Sequence, residues 1–351
     1  MSRTLKEHFH RRIIRISGFQ LRRLRELVIE PTNYCTQKCP VCGAFQAFSQ
    51  RSRGFIDWNL FLHIVKDAVK LKPERVSLYA HGEPLLHPLL VDMVVELTSS
   101  RLQSNIVTNG DLLIPRTSQA LLEAGLQNLV ISYPGVSELN YKICRGNSKP
   151  PALDERIIES LRFWDDAKGK AGIRCLIITN LLSNGTEETS AFLRKWLNVP
   201  GVNYVTLHGY LPWPQHFRED LLSFLSKIPQ RCELGMDSLT VLWDGTVTPC
   251  SYDCSAELEI GDIQDKPLGK IYNSSTLRKI RKMWFRKPHQ WPSICRSCLI
   301  PRCPAPYIII TREEFQRNPE VERKVSLWLR HHRIAQITNQ KTHKTGSDNP
   351  L

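Results

Sequence analysis

The sequence predicts an α/β protein in which a partial (β/α)6 barrel is followed by a small C-terminal domain made of a β-hairpin and a helix. Between residues 27 and 210, short β-branched runs alternate with segments of helical periodicity, the pattern of βαβ units joined in a parallel sheet. After residue 230 the pattern changes, and Asp244-Gly245 between two β-forming runs predicts a hairpin. In barrels of this kind the active site lies at the carboxyl ends of the strands.

The barrel elements follow one another in regular order. We expect strands at 26–30, 75–80, 103–108, 127–132, 172–178 and 203–208. We expect the intervening helices at 57–71, 88–100, 116–124, 153–168 and 187–197. In the C-terminal part, residues 275–285 predict a helix and residues around 313–335 predict a second, charged one.

Residues 4–26 alternate basic and apolar side chains, which predicts one or two amphipathic helices packed on the end of the barrel. Contact of this segment with a membrane interface is the alternative. The expected organisation is a basic amphipathic helical segment at 1–26, the barrel at 27–228, the hairpin-containing domain at 229–306, a C-terminal helix at 307–338 and a disordered polar tail at 339–351.

The composition is that of a globular protein without a membrane span. No apolar stretch approaches the ~20 residues that a span needs, and the charged N-terminus lacks the apolar core of a secretory signal, so we expect a cytoplasmic location. The formal net charge of +14 would suit RNA, an anionic membrane surface or a phosphorylated substrate. Because no aromatic-interleaved motif accompanies it, a solvated basic face is the better explanation, and nucleic acid is not expected as a partner. Peripheral membrane contact stays open.

Eleven cysteines in such a chain indicate metal binding rather than disulfides. Cys35, Cys39 and Cys42 form a C-x3-C-x2-C trio directly after the first predicted strand. Three thiolates can hold three irons of a cubane cluster and leave the fourth iron open, whereas a structural or electron-carrying cluster normally takes four cysteines. Zinc, which prefers four ligands, and a chance triplet of buried thiols are the alternatives.

A second motif, Gly82-Glu83-Pro84, ends the second predicted strand. With the trio, it gives the chain a resemblance to the radical S-adenosylmethionine (SAM) enzymes, which extends from about residue 25 to 303. The resemblance implies that the trio holds a [4Fe–4S] cluster whose open iron chelates SAM, and that Gly82, Glu83 and Pro84 bind the methionine end of SAM. It also implies a one-electron reductant such as flavodoxin or ferredoxin. Capping of a short helix is the alternative role for Glu83.

The resemblance further implies that polar residues at the ends of strands three to five face SAM: Asn109, Ser132 and Asn180. Ordinary turn formation is the alternative for each. Residues 131–146 resemble a sequence motif of the family. The family has an Asp at the position where this chain has Pro134. That departure alters either the SAM site or the substrate pocket.

Four of the six cysteines in the C-terminal part form a second set: Cys232, Cys250, Cys295 and Cys298. The stretch from Cys232 through Gly245 to Cys250 resembles the opening of the SPASM domain found behind many radical SAM barrels. Because the later cysteines of that domain are missing, the resemblance is to its truncated, twitch-type version with one auxiliary [4Fe–4S] cluster. Two auxiliary clusters, or structural zinc on the same thiolates, are the alternatives.

An auxiliary cluster beside the substrate suits removal of an electron from a substrate radical, which favours dehydrogenation of a small molecule or glycan precursor. Epimerisation is the other small-molecule reading, with Cys144, Cys254 or Cys303 as hydrogen-atom donor. The 26 residues before the barrel are too short for the leader-binding domain of many peptide-modifying relatives, and Ser251 stands where peptide oxidisers often have Asp. Maturation of a ribosomally made peptide, RNA modification and a non-catalytic metal-binding role remain as alternatives.

Overall fold

The computed structural model describes residues 23–40, 42–44, 51–167, 174–181, 185–209, 232, 234–298, 307–318 and 320–331. The first 22 residues of the predicted helical segment 1–26, the tail at 339–351 and Cys303 lie outside this range. Residues 23–25 are not helical, and the first strand already begins at Glu26 because Arg25 N donates to the Asp237 carbonyl at 2.8 Å. The predicted helical segment therefore does not reach residue 26.

The strands of the barrel are β1 (Glu26–Ile29), β2 (Arg75–Leu78), β3 (Ser104–Thr108), β4 (Asn128–Ser132), β5 (Arg174–Leu181) and β6 (Val202–Gly209). The later strands are β7 (Ser238–Val241), β8 (Thr246–Thr248), β9 (Gly261–Asp262) and β10 (Tyr307–Thr311). All ten belong to one sheet in the order β10-β6-β5-β4-β3-β2-β1-β7-β8-β9. Strands β1 to β6 pair in parallel with their neighbours, as the alternating sequence predicts.

Helices cover the outside of the barrel strands, with buried apolar stripes facing the sheet. They are α1 (Trp58–Leu71), α2 (Leu90–Ser99), α3 (Pro115–Glu123), α4 (Glu138–Arg145), α5 (Leu153–Asp166) and α6 (Gly185–Leu197). The carboxylate of Asp57 starts α1 by accepting from Asn59 N and Leu60 N, and Lys72 ends it in a left-handed conformation. Helix α4, which sequence periodicity did not predict, begins at Ser137 and ends before Gly146 at φ 80°.

The C-terminal part continues the barrel sheet. Strand β7 pairs in parallel with β1, from Glu26 opposite Ser238 to Ile29 opposite Val241, and forms the predicted hairpin with β8. Its helices are α7 (Leu268–Tyr272), α8 (Ser275–Trp284), α9 (Ser293–Ser297), α10 (Arg312–Arg317) and α11 (Val321–His331). Among the described residues, none of the helices combines the length and apolarity needed to cross a membrane.

The predicted C-terminal helix at 307–338 is wrong in two respects. Its first five residues form strand β10, because the β-branched run Ile308-Ile309-Ile310 pairs antiparallel with β6 at the sheet edge. The described residues that follow form two helices, Arg312–Arg317 and Val321–His331, because Asn318 precedes a proline and takes an extended conformation, with φ −126° and ψ 101°.

Candidate active site

The cysteine trio lies on the loop that leaves the carboxyl end of β1. Cys39 is buried, Cys35 and Cys42 are half-buried, and Cys42 N donates to the Cys39 carbonyl at 3.0 Å. Burial raises the pKa of the Cys35 thiol to about 11, which opposes ionisation in the protein alone. A bound cation reverses that preference, so the thiols suit a metal cluster rather than a free thiolate nucleophile.

Nitrogen donors surround these sulfurs. Gln37 N lies 3.4 Å from Cys35 Sγ and Asn109 Nδ2 lies 3.7 Å from it, while Arg145 Nη1 lies 3.4 Å from Cys39 Sγ. Arg145 also donates through Nη2 to the carbonyl of Ser132, at the end of β4. Donors and positive charge stabilise thiolates, so this loop is built to hold negatively charged sulfur.

The Gly-Glu-Pro loop after β2 interlocks with the cysteine loop. Glu83 N donates to the Tyr34 carbonyl at 2.8 Å. A Cβ on Gly82 would lie 2.3 Å from the Thr32 carbonyl oxygen and 2.5 Å from that of Tyr34, so only glycine allows this approach. The two loops therefore form one rigid rim at the carboxyl ends of β1 and β2.

The carboxylate of Glu83 turns inward. Its Oε1 accepts from Leu85 N at 3.1 Å and from Thr108 Oγ1 at 2.7 Å, and its Oε2 accepts from Asn109 N at 2.8 Å. Burial raises the pKa of this carboxyl to about 7, although the three donors act in the opposite direction. Glu83 thus caps the short 3-10 helix Pro84–Leu86 and ties it to the end of β3, which is the alternative role considered for it.

Asn109, which follows the end of β3, is hydrogen-bonded to the cysteine loop. Its Nδ2 donates to Thr36 Oγ1 at 2.9 Å, and its Oδ1 accepts from Asp111 N at 2.8 Å. Asp111 Oδ2 in turn accepts from Thr36 Oγ1 at 2.9 Å and from Gln37 Nε2. Two buried oxygens of this network, Gln37 Oε1 and Asp111 Oδ1, have no donor among the described residues. Buried acceptors left open suit a ligand that carries several donors, as SAM does.

The other predicted SAM-facing residues lie on the same rim. Ser132 is the last residue of β4 and pairs with Ile178 of β5, so Asn180 stands two residues further along that adjacent strand. Cys144, on α4, is buried and its Sγ lies 3.9 Å from the Pro134 carbonyl. Burial raises the pKa of the Cys144 thiol to about 12.

A buried ionic cluster that the sequence did not predict lies directly behind the two motif loops. Glu30 Oε2 accepts from Arg51 Nη2 at 2.7 Å and from Trp243 N at 3.1 Å, and Glu30 Oε1 lies 2.9 Å from His81 Nδ1. His81 Nε2 lies 2.9 Å from the Ser251 carbonyl. Both ring nitrogens of His81 lie within reach of an acceptor, although Arg51 Nη1 also approaches Nδ1 at 3.3 Å, so the contacts favour the doubly protonated ring.

The opposite charges of this cluster stabilise one another's ionised forms. Burial alone would raise the pKa of Glu30, but His81 and Arg51 outweigh it and lower the pKa to about 2. Burial would lower the pKa of His81, but Cys254 and Glu30 raise it to about 10. The only sequence features that pointed to this cluster were the positions of Glu30 and His81, each next to a motif loop.

Cys254 lies at the same junction. It is buried, and it packs with Ala44 and Cys42 of the cysteine loop. The structure therefore brings Cys254 next to the trio, whereas Cys144 approaches it from the side of Cys39.

The second cysteine set lines one cavity of the C-terminal part. The cavity wall contains all four predicted ligands, Cys232, Cys250, Cys295 and Cys298. Zinc held by four thiolates sits at about 2.3 Å from each sulfur and closes such a site. In the part of the chain that the structure describes, no three His, Cys, Asp or Glu side chains are close enough to hold a single ion. Four thiols in one cavity wall fit a four-cysteine cubane cluster and four-coordinate zinc alike.

The residues around this cavity are mostly apolar, or they are polar and already hydrogen-bonded within the protein. Asp253 lines it, but its carboxylate accepts from Glu257 N at 2.9 Å and from Leu258 N at 2.8 Å. Tyr252 N lies 3.4 Å from Cys250 Sγ. Asp253 therefore shapes the loop after Cys250, and burial raises the pKa of its carboxyl.

Two family models match the chain: the radical SAM superfamily over residues 29–195, and SPASM, an iron–sulfur cluster-binding domain, over residues 232–299. Among curated proteins, the tungsten-containing aldehyde ferredoxin oxidoreductase cofactor-modifying protein of Pyrococcus furiosus is 24% identical, with 78% of this chain and 87% of that protein covered. The PqqA peptide cyclase of Methylorubrum extorquens is 29% identical, with 78% and 77% covered. The SAM-dependent 2-deoxy-scyllo-inosamine dehydrogenase of Niallia circulans is 22% identical, with 77% and 90% covered.

Solved structures share the fold. SuiB of Streptococcus suis bound to SAM superposes with a TM-score of 0.61 at 15% identity, covering 84% of this chain and 76% of that one. BtrN in complex with SAM and 2-DOIA superposes with a TM-score of 0.54 at 19% identity, covering 78% and 92%.

Proposed function

Because this chain belongs to the radical SAM superfamily and carries an iron–sulfur cluster-binding domain of SPASM type, we propose that it dehydrogenates a carbon of a small molecule or glycan precursor. The superfamily match means that the chain binds a [4Fe–4S] cluster with SAM, and the second match means that it binds further iron–sulfur. We assign the SAM cluster to Cys35, Cys39 and Cys42. We assign one auxiliary cluster to the four cysteines of the C-terminal cavity.

When bound, these groups would supply one-electron chemistry: an electron delivered by an external reductant through the first cluster would cleave SAM to methionine and a 5'-deoxyadenosyl radical, that radical would take a hydrogen atom from the substrate, and the auxiliary cluster would accept the electron that the substrate radical loses. The remaining proton leaves to a base or to water. A CH–OH group thereby becomes a carbonyl, with no oxidant other than SAM and the auxiliary cluster.

The observation that carries the proposal is a hydrogen bond between the two chain segments that adjoin the proposed sites. His81 adjoins Gly82 of the proposed SAM motif and bonds to the carbonyl of Ser251, which follows the proposed ligand Cys250. One side chain therefore links the segments that adjoin the two proposed cofactor sites. This arrangement suits transfer of an electron from a substrate held at the barrel rim to the auxiliary site.

Two further features support a small substrate. The dehydrogenase relative is matched over 90% of its own length. Asp253, the carboxylate nearest to the position where peptide oxidisers often have a catalytic Asp, is held by two backbone amides. The assignments of Gly82, Asn109, Ser132 and Asn180 to SAM contacts rest on their common position at the rim.

Maturation of a peptide is the second candidate, and the PqqA peptide cyclase relative favours it. Epimerisation is the third, because Cys254 lies next to the cysteine loop and a thiol there is placed to return a hydrogen atom. Cys144 is the other described thiol for that role. Cys303 lies outside the described residues and keeps only its sequence-based assignment.

The substrate class can be tested with deuterium. Cells grown with deuterated carbon sources give an extract that is separated into low-molecular-mass, peptide and RNA fractions. Anaerobically reconstituted, reduced enzyme is incubated with SAM and each fraction, and deuterium in 5'-deoxyadenosine is measured. The proposal expects label from the low-molecular-mass fraction only, and no 5'-deoxyadenosine from the triple variant Cys35→Ala, Cys39→Ala, Cys42→Ala.

Label from the peptide or RNA fraction alone would reject the small-molecule class. A product that has gained hydrogen from solvent, dependent on Cys144 or Cys254, would replace dehydrogenation by epimerisation. A triple variant that still makes 5'-deoxyadenosine at the parental rate would reject the assignment of the SAM cluster.

A further inference from the structure

The cysteine cavity contains a buried hydrogen-bond donor without a well-aligned acceptor. Trp284, the last residue of α8, lines the cavity and is 1% exposed. Its indole Nε1 completes no well-aligned hydrogen bond among the described residues, but it approaches the Cys295 thiol closely enough to act against the burial that raises the pKa of that group. A buried donor left unpaired costs about 1–3 kcal/mol, so such groups in folded proteins usually face a ligand, an ion or water.

Packing fixes the position of this indole. A Cβ on Gly235 would lie 2.5 Å from Cη2 of Trp284, so the ring edge sits directly against the Gly235 backbone. Because Gly235 has no side chain, the indole ring fits against it in the wall of the C-terminal cysteine cavity. The N–H group cannot turn toward solvent without moving α8.

A second tryptophan of the same cavity behaves differently. Trp291 is also buried and lines the cavity, but its Nε1 donates to the Arg286 carbonyl at 3.1 Å. The open donor is therefore specific to Trp284 and is not a general property of tryptophans in this wall. Trp291 provides the matched comparison.

We propose that the Nε1–H of Trp284 donates a hydrogen bond to a sulfur atom of the auxiliary cluster, either a ligand thiolate or an inorganic sulfide, and raises the reduction potential of that cluster. The proposal rests on the assignment of the cluster to Cys232, Cys250, Cys295 and Cys298. Reduction adds one negative charge to the cluster, and a donor to its sulfur stabilises the more negative form more strongly. The cluster thereby becomes a better acceptor for an electron from a substrate radical.

The experiment uses the full chain with Cys35→Ala, Cys39→Ala and Cys42→Ala, so that only the auxiliary cluster contributes a signal. Its midpoint potential is measured by anaerobic redox titration monitored by electron paramagnetic resonance. We expect Trp284→Phe to lower the midpoint potential and Trp291→Phe to leave it unchanged. Equal potentials for the parent and Trp284→Phe would overturn the proposal.

A measurement without a tryptophan variant covers the case in which Trp284→Phe does not fold. The parent is labelled with indole-¹⁵N tryptophan, and ¹⁵N and exchangeable-proton couplings to the reduced cluster are recorded by pulsed resonance. We expect both couplings in the parent and in Trp291→Phe, and weaker couplings in Gly235→Ala, which displaces the ring. Absence of both couplings from the parent would overturn the proposal.

The outcome is independent of the reaction, since the potential is measured without substrate. A parent that holds no iron after loss of the trio would overturn the proposal together with the cysteine assignment. An iron-loaded cluster with the expected couplings, in an enzyme that proves to modify peptides, would leave the hydrogen bond intact and reject only the dehydrogenation.

Discussion

His81 Nε2 and the backbone carbonyl of Ser251 are hydrogen-bonded at 2.9 Å, across 170 residues of sequence. On the other side of the same ring, Nδ1 lies 2.9 Å from Glu30 Oε1. One imidazolium therefore connects the strand that leads into the cysteine trio with the loop that follows Cys250. Four predictions follow from this arrangement and from the two motif loops beside it.

Glu30→Gln should destabilise the protein strongly. The carboxylate is fully buried and neutralises Arg51 and His81, so its loss leaves buried positive charge without a counterion. Breaking such a buried pair costs about 3–5 kcal/mol in the free energy of unfolding. Glu74→Gln, which breaks the exposed pair with Arg23, should cost less than about 1 kcal/mol. Denaturant unfolding of both variants checks this, and equal losses would show that the buried charges are not coupled.

The stability of the protein should depend on pH through the same groups. The pKa of His81 is raised from 6.5 to about 10, so its contribution is fully present below pH 6.5 and is lost as the pH rises toward 10. The pKa of Glu30 is lowered from 4.5 to about 2, so its contribution is present above pH 4.5 and is lost as the pH falls toward 2. The stability gap between the parent and His81→Gln should therefore shrink between pH 6.5 and 10. A gap that is constant over this range would mean that His81 is neutral in the folded protein.

Gly82→Ala should prevent assembly of the SAM cluster and leave the auxiliary cluster in place. The added Cβ would meet the Thr32 carbonyl oxygen at 2.3 Å, which is backbone that cannot yield without moving the cysteine loop. Gly269→Ala is the control, because the nearest atom to its Cβ is 3.7 Å away. Iron content and 5'-deoxyadenosine formation after reconstitution are the measurements. Full iron and full SAM cleavage in Gly82→Ala would contradict the predicted rigidity of the rim.

Thr108→Val should weaken SAM binding without loss of iron. The hydroxyl of Thr108 donates to Glu83 Oε1 at 2.7 Å, and hydrogen bonds to a charged group contribute about 1.5–3 kcal/mol. Without it, the Gly-Glu-Pro loop should lose part of its order, and the affinity for SAM should fall. Equilibrium dialysis with labelled SAM measures this. Thr98→Val, which removes a bond to the Ala124 carbonyl on the helical layer, should leave the affinity unchanged.

The sequence predicted the six parallel strands and both cysteine sets because these depend on local patterns. Apolar runs such as Leu27–Ile29 set strand positions, and Asp244-Gly245 set the hairpin. The paired role of Glu30 and His81 was not predictable in the same way, because their partners Arg51 and Ser251 come from distant loops. A buried charge is recognisable only once its environment is known.

One error and one unpredicted feature have a related cause. Residues 307–311 became a strand because the edge of β6 was available, which the local sequence does not reveal. The inward turn of Glu83 also depends on donors supplied by β3, 25 residues later. Pattern analysis placed the Gly-Glu-Pro segment at the end of β2 but could not say which way its carboxylate points.

The parallel pairing of β7 with β1 has a consequence for how the chain acquires its structure. Glu26 opposes Ser238, so the strand leading to the cysteine trio gains its second neighbour only after more than 200 residues have been synthesised. Contacts of such long range form slowly, and an unpaired strand edge invites association with other chains. A fragment that ends near residue 228 would leave β1 as an open edge, so we expect it to aggregate even though it contains the whole superfamily match. The shared β1–β7 pairing therefore predicts that the barrel and the segment after residue 230 fold as one unit.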